Sequence, residues 1–364
     1  MALRLETPEG RDALTEFILF HDEVYRARSA RWPAHVPFQL PTLTGEGPYA
    51  RDRRLRPFVA RDGGRIVARA LAVVDGHYQR HWQDRLGHVS MFEALPDTSA
   101  ATRLVLDAAC EWLRQQGAED ARAGFGLLDF PFTIDSYDAL PPSWLRQNPA
   151  YYHALLKDAG FETEQGWVDY RIAVTPELVA RWERMREATR SAGFELVRLV
   201  DLPEARRVPE ITRLWNDAFA RHWGFVPFAE AEMSTVIETF GPTGMLETTM
   251  IAYRGADAVG TLWYLPDLSA FASRDPGRTL APSEQLNVLG IGVRAAARGR
   301  GINLGMAAHA YLESVRQGAT HLSYTLVLDH NWPSRRTAEK LGAAVCANYV
   351  TYRRRFARPA LGGS

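Results

Sequence analysis

The residues best placed to do chemistry stand together in the run Arg298-Gly299-Arg300-Gly301-Ile302-Asn303. The run follows a β-rich segment, 285–293, and opens an amphipathic one, 302–317, which reads as strand, glycine-rich turn, helix. Glycines let successive backbone N–H groups converge on one point, and the start of a helix adds partial positive charge there. Arg298 and Arg300 add full charges. A pyrophosphate is the natural occupant. A dinucleotide fingerprint needs an early βαβ unit with three spaced glycines and a later acidic residue. Here the turn lies near residue 300 and follows a mostly antiparallel arrangement. A P-loop needs Gly-Lys-Ser/Thr, which is absent. Nicotinamide and nucleoside-triphosphate readings both fall.

The elements that must hold this turn are legible around it. A strand at 194–199 leads to helical stretches at about 208–221 and 228–239, then to a hairpin at 250–267. After the turn and its helix come a strand at 321–328, a short helix at 334–341 and a last strand at 348–356. The same plan occurs earlier in the chain. FVARDGGRIVARALAVVD (58–75) aligns without a gap to MIAYRGADAVGTLWYLPD (250–267). RQQGA (114–118) parallels RQGA (316–319), each closing a helix with Gly at its C-terminal cap. Leu156-Lys157-Asp158-Ala159-Gly160 parallels Glu339-Lys340-Leu341-Gly342, and Tyr170-Arg171 parallels Tyr352-Arg353. Matched landmarks in the same order indicate a duplicated α/β unit. The expected division is a first repeat at 1–173, a helical connector at 174–193, a second repeat at 194–357 and a tail at 358–364.

With the turn in place, the second half resembles the GNAT superfamily of acyl-CoA-dependent N-acetyltransferases. Arg298, Gly301 and Asn303 fall on its R-x-x-G-x-G/A motif, Asn303 replacing the usual final Gly or Ala. Asn331, Ser334, Glu339, Lys340, Leu341 and Gly342 match the downstream signature. The resemblance implies an α/β (α+β) fold of two tandem GNAT-like repeats, each a mixed, mostly antiparallel sheet flanked by helices. It implies acetyl-CoA, or another acyl-CoA, as cosubstrate and no metal. Carried over, Ile291, Gly292 and Val293 pair with the pantetheine arm, and Arg298, Gly299, Arg300, Gly301, Ile302 and Asn303 hold the pyrophosphate. Asn331 is a cofactor or loop hydrogen-bonder. The first half lacks the motif and reads EALPDTS (93–99) at its strand-to-helix junction, so it resembles a degenerate repeat. The whole chain is similar to bacterial tandem-GNAT proteins with NWGFVP-like segments, here His222-Trp223-Gly224-Phe225-Val226-Pro227, and its plan resembles the FemABX aminoacyl transferases.

The reaction implied is transfer of an acetyl or other acyl group from acyl-CoA to an amine of a small molecule or peptide. An alkyl amine is about one part in 10³ neutral at pH 7, so direct attack on a thioester needs a base or a proton path. His330, oriented by Asp329, sits just past a strand end where the sheet would splay around CoA; Glu284 and Asn287 are rivals. In many of these enzymes a Tyr on the short last helix is the acid, but Ala338 stands here. Tyr324 is the first substitute, with Tyr349 and Tyr352 as alternatives. Trp223, Phe225 and Phe228, with Trp215 and Phe219 nearby, are either core or an aromatic wall for the acceptor. A catalytically silent acyl-CoA-binding module and a FemABX-like aminoacyl transferase are the competing functions.

Composition narrows the rest. Lys plus Arg equals Asp plus Glu, 43 against 43, which advertises no nucleic-acid partner. Cys110 and Cys346 lie far apart and form no metal-ligand spacing. No apolar run approaches the ~20 residues of a membrane helix, and no signal-peptide core follows Met1. The expectation is a cytoplasmic protein with no membrane partner, its oligomeric state open.

Overall fold

The structure, a computed structural model, describes residues 3–356. It divides into two compact units, neither of them a continuous stretch of chain. The first takes residues up to 137, then 146–166, then 349 onward; the second takes 138–145 and 167–348. Two long strands contribute to both. Glu162–Ala173 gives 162–166 to the first unit and 167–173 to the second. Ala344–Arg355 gives 344–348 to the second and 349–355 to the first.

In the first unit the strands run in the order Arg4–Glu6, Arg53–Asp62, Arg65–Asp75, Leu86–Ala94, Asp120–Ala123 and 349–355. Neighbours are antiparallel except Leu86–Ala94 with Asp120–Ala123, which is parallel. The hairpin turns on Gly63 and Gly64, with φ of 57° and 88°, values that a side chain rarely tolerates in succession. Arg65–Asp75 is buried on both faces. Ala68, Ala70 and Ala72 share a core with Val105, Leu106 and Ala109 of the helix Ser99–Gln115. Leu71 and Val73 pack with Phe17 and Ile18 of the helix Gly10–Val24. This is why the strand reads as a continuous apolar run rather than an alternation.

The second unit has two sheet parts. One orders Val288–Val293, Asp257–Leu265, Met250–Arg254 and Glu195–Arg198, all antiparallel. The other pairs His321–Leu328 antiparallel with 167–173. The strand Val288–Val293 packs on both of its faces. Leu289, Ile291 and Val293 pack with Met306 of the helix Ile302–Arg316. Gly290 and Gly292 face the helix Glu204–Phe219, where a β-carbon on Gly292 would lie 2.7 Å from Ala218 and 2.8 Å from Phe219. Glycine at these positions lets that helix lie directly on the strand. The stretch expected as a connector lies within the second unit and forms the helix Pro176–Ser191, capped by Thr175 and packed so closely on Ile302–Arg316 that a β-carbon on Gly305 would collide with Thr189. No helix among the described residues is long and apolar enough to cross a membrane.

Candidate active site

The strands Val288–Val293 and His321–Leu328 are joined at one end and apart at the other. Asn287 donates from Nδ2 to the Ser323 carbonyl at 3.0 Å and accepts from the Ser323 N–H at Oδ1, 2.8 Å. Leu289 N–H donates to Thr325 Oγ1 at 3.3 Å. Beyond this point Val288–Val293 pairs, among the described residues, only with Asp257–Leu265, and its other backbone edge faces the gap. His321–Leu328 bends away at a bulge between Tyr324 and Val327, where Leu326 has φ 40°. The Leu326 N–H freed by the bulge donates to Asp169 Oδ1 at 3.3 Å. Burial pushes the Asp169 carboxyl up to about 7.

The glycine-rich turn closes the open end of Val288–Val293. Gly299 and Gly301 have φ of 78° and 77°, and Gly301 is the N-terminal cap of Ile302–Arg316. A β-carbon at either glycine would meet only open space, so the positive φ, not crowding, selects glycine. Arg298 lies exposed and braces the turn, donating from Nε to the Val293 carbonyl at 3.0 Å and from Nη2 to the Ala218 carbonyl at 3.2 Å. Arg300 is exposed, and Ile302 is buried in the core. Asn303 donates from Nδ2 to Thr337 Oγ1 at 2.8 Å, tying the two helices at the mouth of the gap.

The helix Trp332–Lys340 starts beside this point. Asn331 is its N-terminal cap, its Oδ1 accepting from Ser334 N–H at 3.3 Å. Ser334 Oγ is 3.0 Å from the Tyr324 hydroxyl, so Tyr324, Ser334 and Asn331 form one chain of contacts. Tyr324 is buried, which pushes its hydroxyl up to about 12. Arg335 donates to the Tyr170 hydroxyl at 2.9 Å and to the Asp329 carbonyl at 2.8 Å. Ala338 is fully buried, so the position where a Tyr acid was sought belongs to the core.

His330 and Asp329 are exposed, at 63% and 51% of their side chains, with 3.1 Å between Nδ1 and Oδ1. The rivals are otherwise engaged. Glu284 is ion-paired with Arg278 at 2.7 Å and accepts from Leu140 N–H at 3.0 Å. Asn287 is the strand clamp. Tyr349 and Tyr352 belong to the first unit, where the Tyr352 hydroxyl is 2.7 Å from His153 Nδ1.

The aromatic segment after Glu204–Phe219 folds back over the gap. Phe225 is buried and stacked with Phe219, centroids 6.2 Å apart. Trp223 meets Trp167 edge-on at 5.7 Å, and Phe228 is held by a reciprocal pair of bonds with Asn216. Between these rings lies His222, 5.6 Å from Phe219 and 6.1 Å from Trp167. Sequence reasoning passed over His222, Trp167 and Asp169. The signal for His222 was its place at the head of an aromatic cluster; Trp167 and Asp169 come from the other half of the chain and left none.

The first unit handles its matching strand end differently. Glu93 is buried and accepts from the Tyr25 and Tyr152 hydroxyls at 3.0 and 2.6 Å, with His21 at 3.4 Å and Arg146 at 3.7 Å. Burial opposes its charge, but the His21 hydrogen bond and the charges of Arg146 and Arg69 outweigh it and hold the carboxyl down to about 2. This end of the sheet is filled by protein side chains.

No family model matches the chain. It is 23% identical over 327 residues to the bacterial ceramide synthase of Caulobacter vibrioides, covering 84% of each chain. It is 26% identical over 236 residues to protein YghO of Escherichia coli, covering 62% of this chain and 59% of that one. Among solved structures, a tandem GNAT protein from the clavulanic acid biosynthesis pathway matches 98% of this chain and all of its own, TM-score 0.59 at 13% identity. A GCN5-related N-acetyltransferase from Sphaerobacter thermophilus matches 97% of this chain and 95% of its own, TM-score 0.53 at 14% identity. The glucosamine N-acetyltransferase region of a fungal multi-domain β-N-acetylglucosaminidase matches 97% of this chain and 38% of that chain, TM-score 0.59 at 17% identity. Joined with the parted strands and the glycine turn, these matches over nearly the whole length establish that the chain has the tandem fold of the GNAT superfamily.

Proposed function

We propose that the chain is an acyl-CoA-dependent N-acyltransferase whose second unit carries the reaction. The observation that carries this reading is the parting of Val288–Val293 from His321–Leu328 over a glycine turn that opens a helix. The residues fit the cosubstrate. The backbone edge of Ile291, Gly292 and Val293 that faces the gap suits an amide-bearing arm, apart from the Val293 carbonyl, which Arg298 occupies, and the N–H groups of 299–303 with Arg300 suit a pyrophosphate. When bound, the acyl thioester supplies the electrophilic carbonyl carbon. The chain's own residues orient it, hold water away with the aromatic cover of Phe219, Trp223 and Phe225, and move protons. Tyr324 through Ser334 is the group nearest to a proton donor for the departing sulfur.

The acceptor proposed is an amine, and within that class one carrying a long apolar chain. The named relative is a ceramide synthase, and a ceramide is an amide of a long-chain amine. In support, a file of rings runs along this face: Trp144, Trp263, Trp215 and Phe219, spaced 5.5, 5.9 and 4.4 Å apart. A cytoplasmic setting belongs to the same proposal, in keeping with Cys110 and Cys346 as free thiols.

The test is thiol release and amide detection by mass spectrometry with short- and long-chain acyl-CoAs against a panel of amines, long-chain bases included. Amide formation is expected. Tight CoA binding without amide from any pair would replace the enzyme with a silent acyl-CoA-binding module, the reading that the buried Ala338 favours.

A further inference from the structure

Resting on the acyltransferase reading, we infer that His222 is the catalytic base, its Nε2 taking the proton from the attacking amine. The ring's tautomer is set by a single contact. Nδ1 lies 3.1 Å from the Trp223 carbonyl, which can only accept, so Nδ1 carries the hydrogen. The neutral ring then presents its lone pair at Nε2. No hydrogen bond reaches Nε2 among the described residues.

The ring's location matches the task. On one side it meets Phe219, whose side chain lies over Gly292 on one strand of the gap. On the other it meets Trp167, which pairs with Leu328 at the end of the other strand. His222 therefore spans the parted strands on the face of the helix Glu204–Phe219, where an acceptor would approach. His330 stands at the surface instead.

The groups facing His222 are few. Phe219 comes from the helix, Trp167 from the strand 167–173 and Trp223 from its own loop, all uncharged. The turn after Leu328 contributes His330, the titratable group whose charge bears on it, with Asp329 beside His330. Burial lowers the His222 ring from the ordinary histidine value; the bond to the Trp223 carbonyl offsets part of this, and a charged His330 lowers it further. It is neutral, and able to accept, at neutral pH.

The step balances as follows. The amine lone pair forms a C–N bond to the thioester carbonyl carbon. The C–S bond breaks and its electron pair leaves with sulfur. The surplus proton on nitrogen passes to Nε2 and from there to water, while the thiolate is protonated separately.

The experiment uses the full-length chain and His222→Asn, whose amide still donates to the Trp223 carbonyl but offers no base. Acyl-CoA affinity by calorimetry is expected to be unchanged, which shows the fold intact. The value of kcat should fall by ~10²-fold with KM for acyl-CoA unaltered, as loss of a general base does. The wild-type pH profile should lose rate on the acid side, with an inflection below the ordinary histidine range, and His222→Asn should lack that inflection. A His222→Gln variant should behave likewise. Wild-type rates across the profile in both variants would overturn the assignment. So would a loss and a vanished inflection confined to His330→Ala. If wild type forms no amide with any acceptor, the acyltransferase reading falls and the role of His222 falls with it.

Discussion

Asn287 grips Ser323 with both ends of its amide, accepting from the Ser323 N–H at 2.8 Å and donating to the Ser323 carbonyl at 3.0 Å. The carboxamide thus imitates a backbone pair, and with the Leu289 N–H to Thr325 Oγ1 bond at 3.3 Å it links the two strands before they part. A buried side chain doing a strand's work makes the gap a clamped opening rather than a frayed sheet.

Asn287→Ala should therefore both destabilise the protein and weaken CoA binding. It leaves the buried Ser323 N–H without its partner, a cost of roughly 1–3 kcal/mol, while the Ser323 carbonyl keeps the Tyr311 hydroxyl at 2.9 Å. Urea unfolding reads the first effect and calorimetry with CoA the second. Unchanged values of both would show that the strands part without help from the clamp.

Gly301→Asp tests the phosphate cradle. Gly301 adopts φ 77° at the helix start with open space around it, and Asp tolerates this backbone region better than most residues. The variant should fold while placing a carboxylate against the pyrophosphate. We expect CoA affinity to fall by roughly 100-fold or more, since like charges about 4 Å apart near a protein surface repel by about 4 kcal/mol. Calorimetry showing wild-type affinity in a folded variant would remove the turn from the binding site.

Titration should give one CoA per chain. The matching strand end of the first unit holds Glu93 in a closed set of hydroxyl and guanidinium contacts, and Leu95-Pro96-Asp97 follows it in place of the glycine turn. Isothermal titration measuring two equal sites would contradict this.

The same Glu93 makes the first unit acid-sensitive. Its carboxyl is held down to about 2 in the folded protein and titrates near 4.3 when the chain is unfolded. Its contribution is complete above the unfolded value and is lost as pH falls from about 5 towards 2. Melting temperature should drop over that window, and Glu93→Gln should show a lower melting temperature at pH 7 with a shallower acid slope. An identical slope in the variant would assign the acid sensitivity to other carboxylates.

What the sequence disclosed followed from local rules. The hairpin at 58–75, the helix after Gly301 and the short helix after Asn331 rest on turn chemistry, caps and periodicity, and the structure has Arg53–Asp62 with Arg65–Asp75, Ile302–Arg316 and Trp332–Lys340 there. The candidate turn residues were legible because glycine at positive φ leaves a mark in the sequence. His222 was not, because a histidine among aromatic residues reads as packing until its two ring nitrogens are seen in different surroundings. The bond from Leu326 to Asp169 was beyond reach as well, since it depends on a bulge and a strand 157 positions apart in the chain.

The interleaving of the two units bears on how the protein is made. Residues 349–355 complete the sheet of the first unit beside Asp120–Ala123, and they emerge from the ribosome only after the whole of the second unit's long segment. Until then the first unit presents Asp120–Ala123 as an uncovered strand edge, the kind of surface that pairs with a neighbouring nascent chain. The sheet of the first unit is therefore completed only when the end of the described chain has joined it.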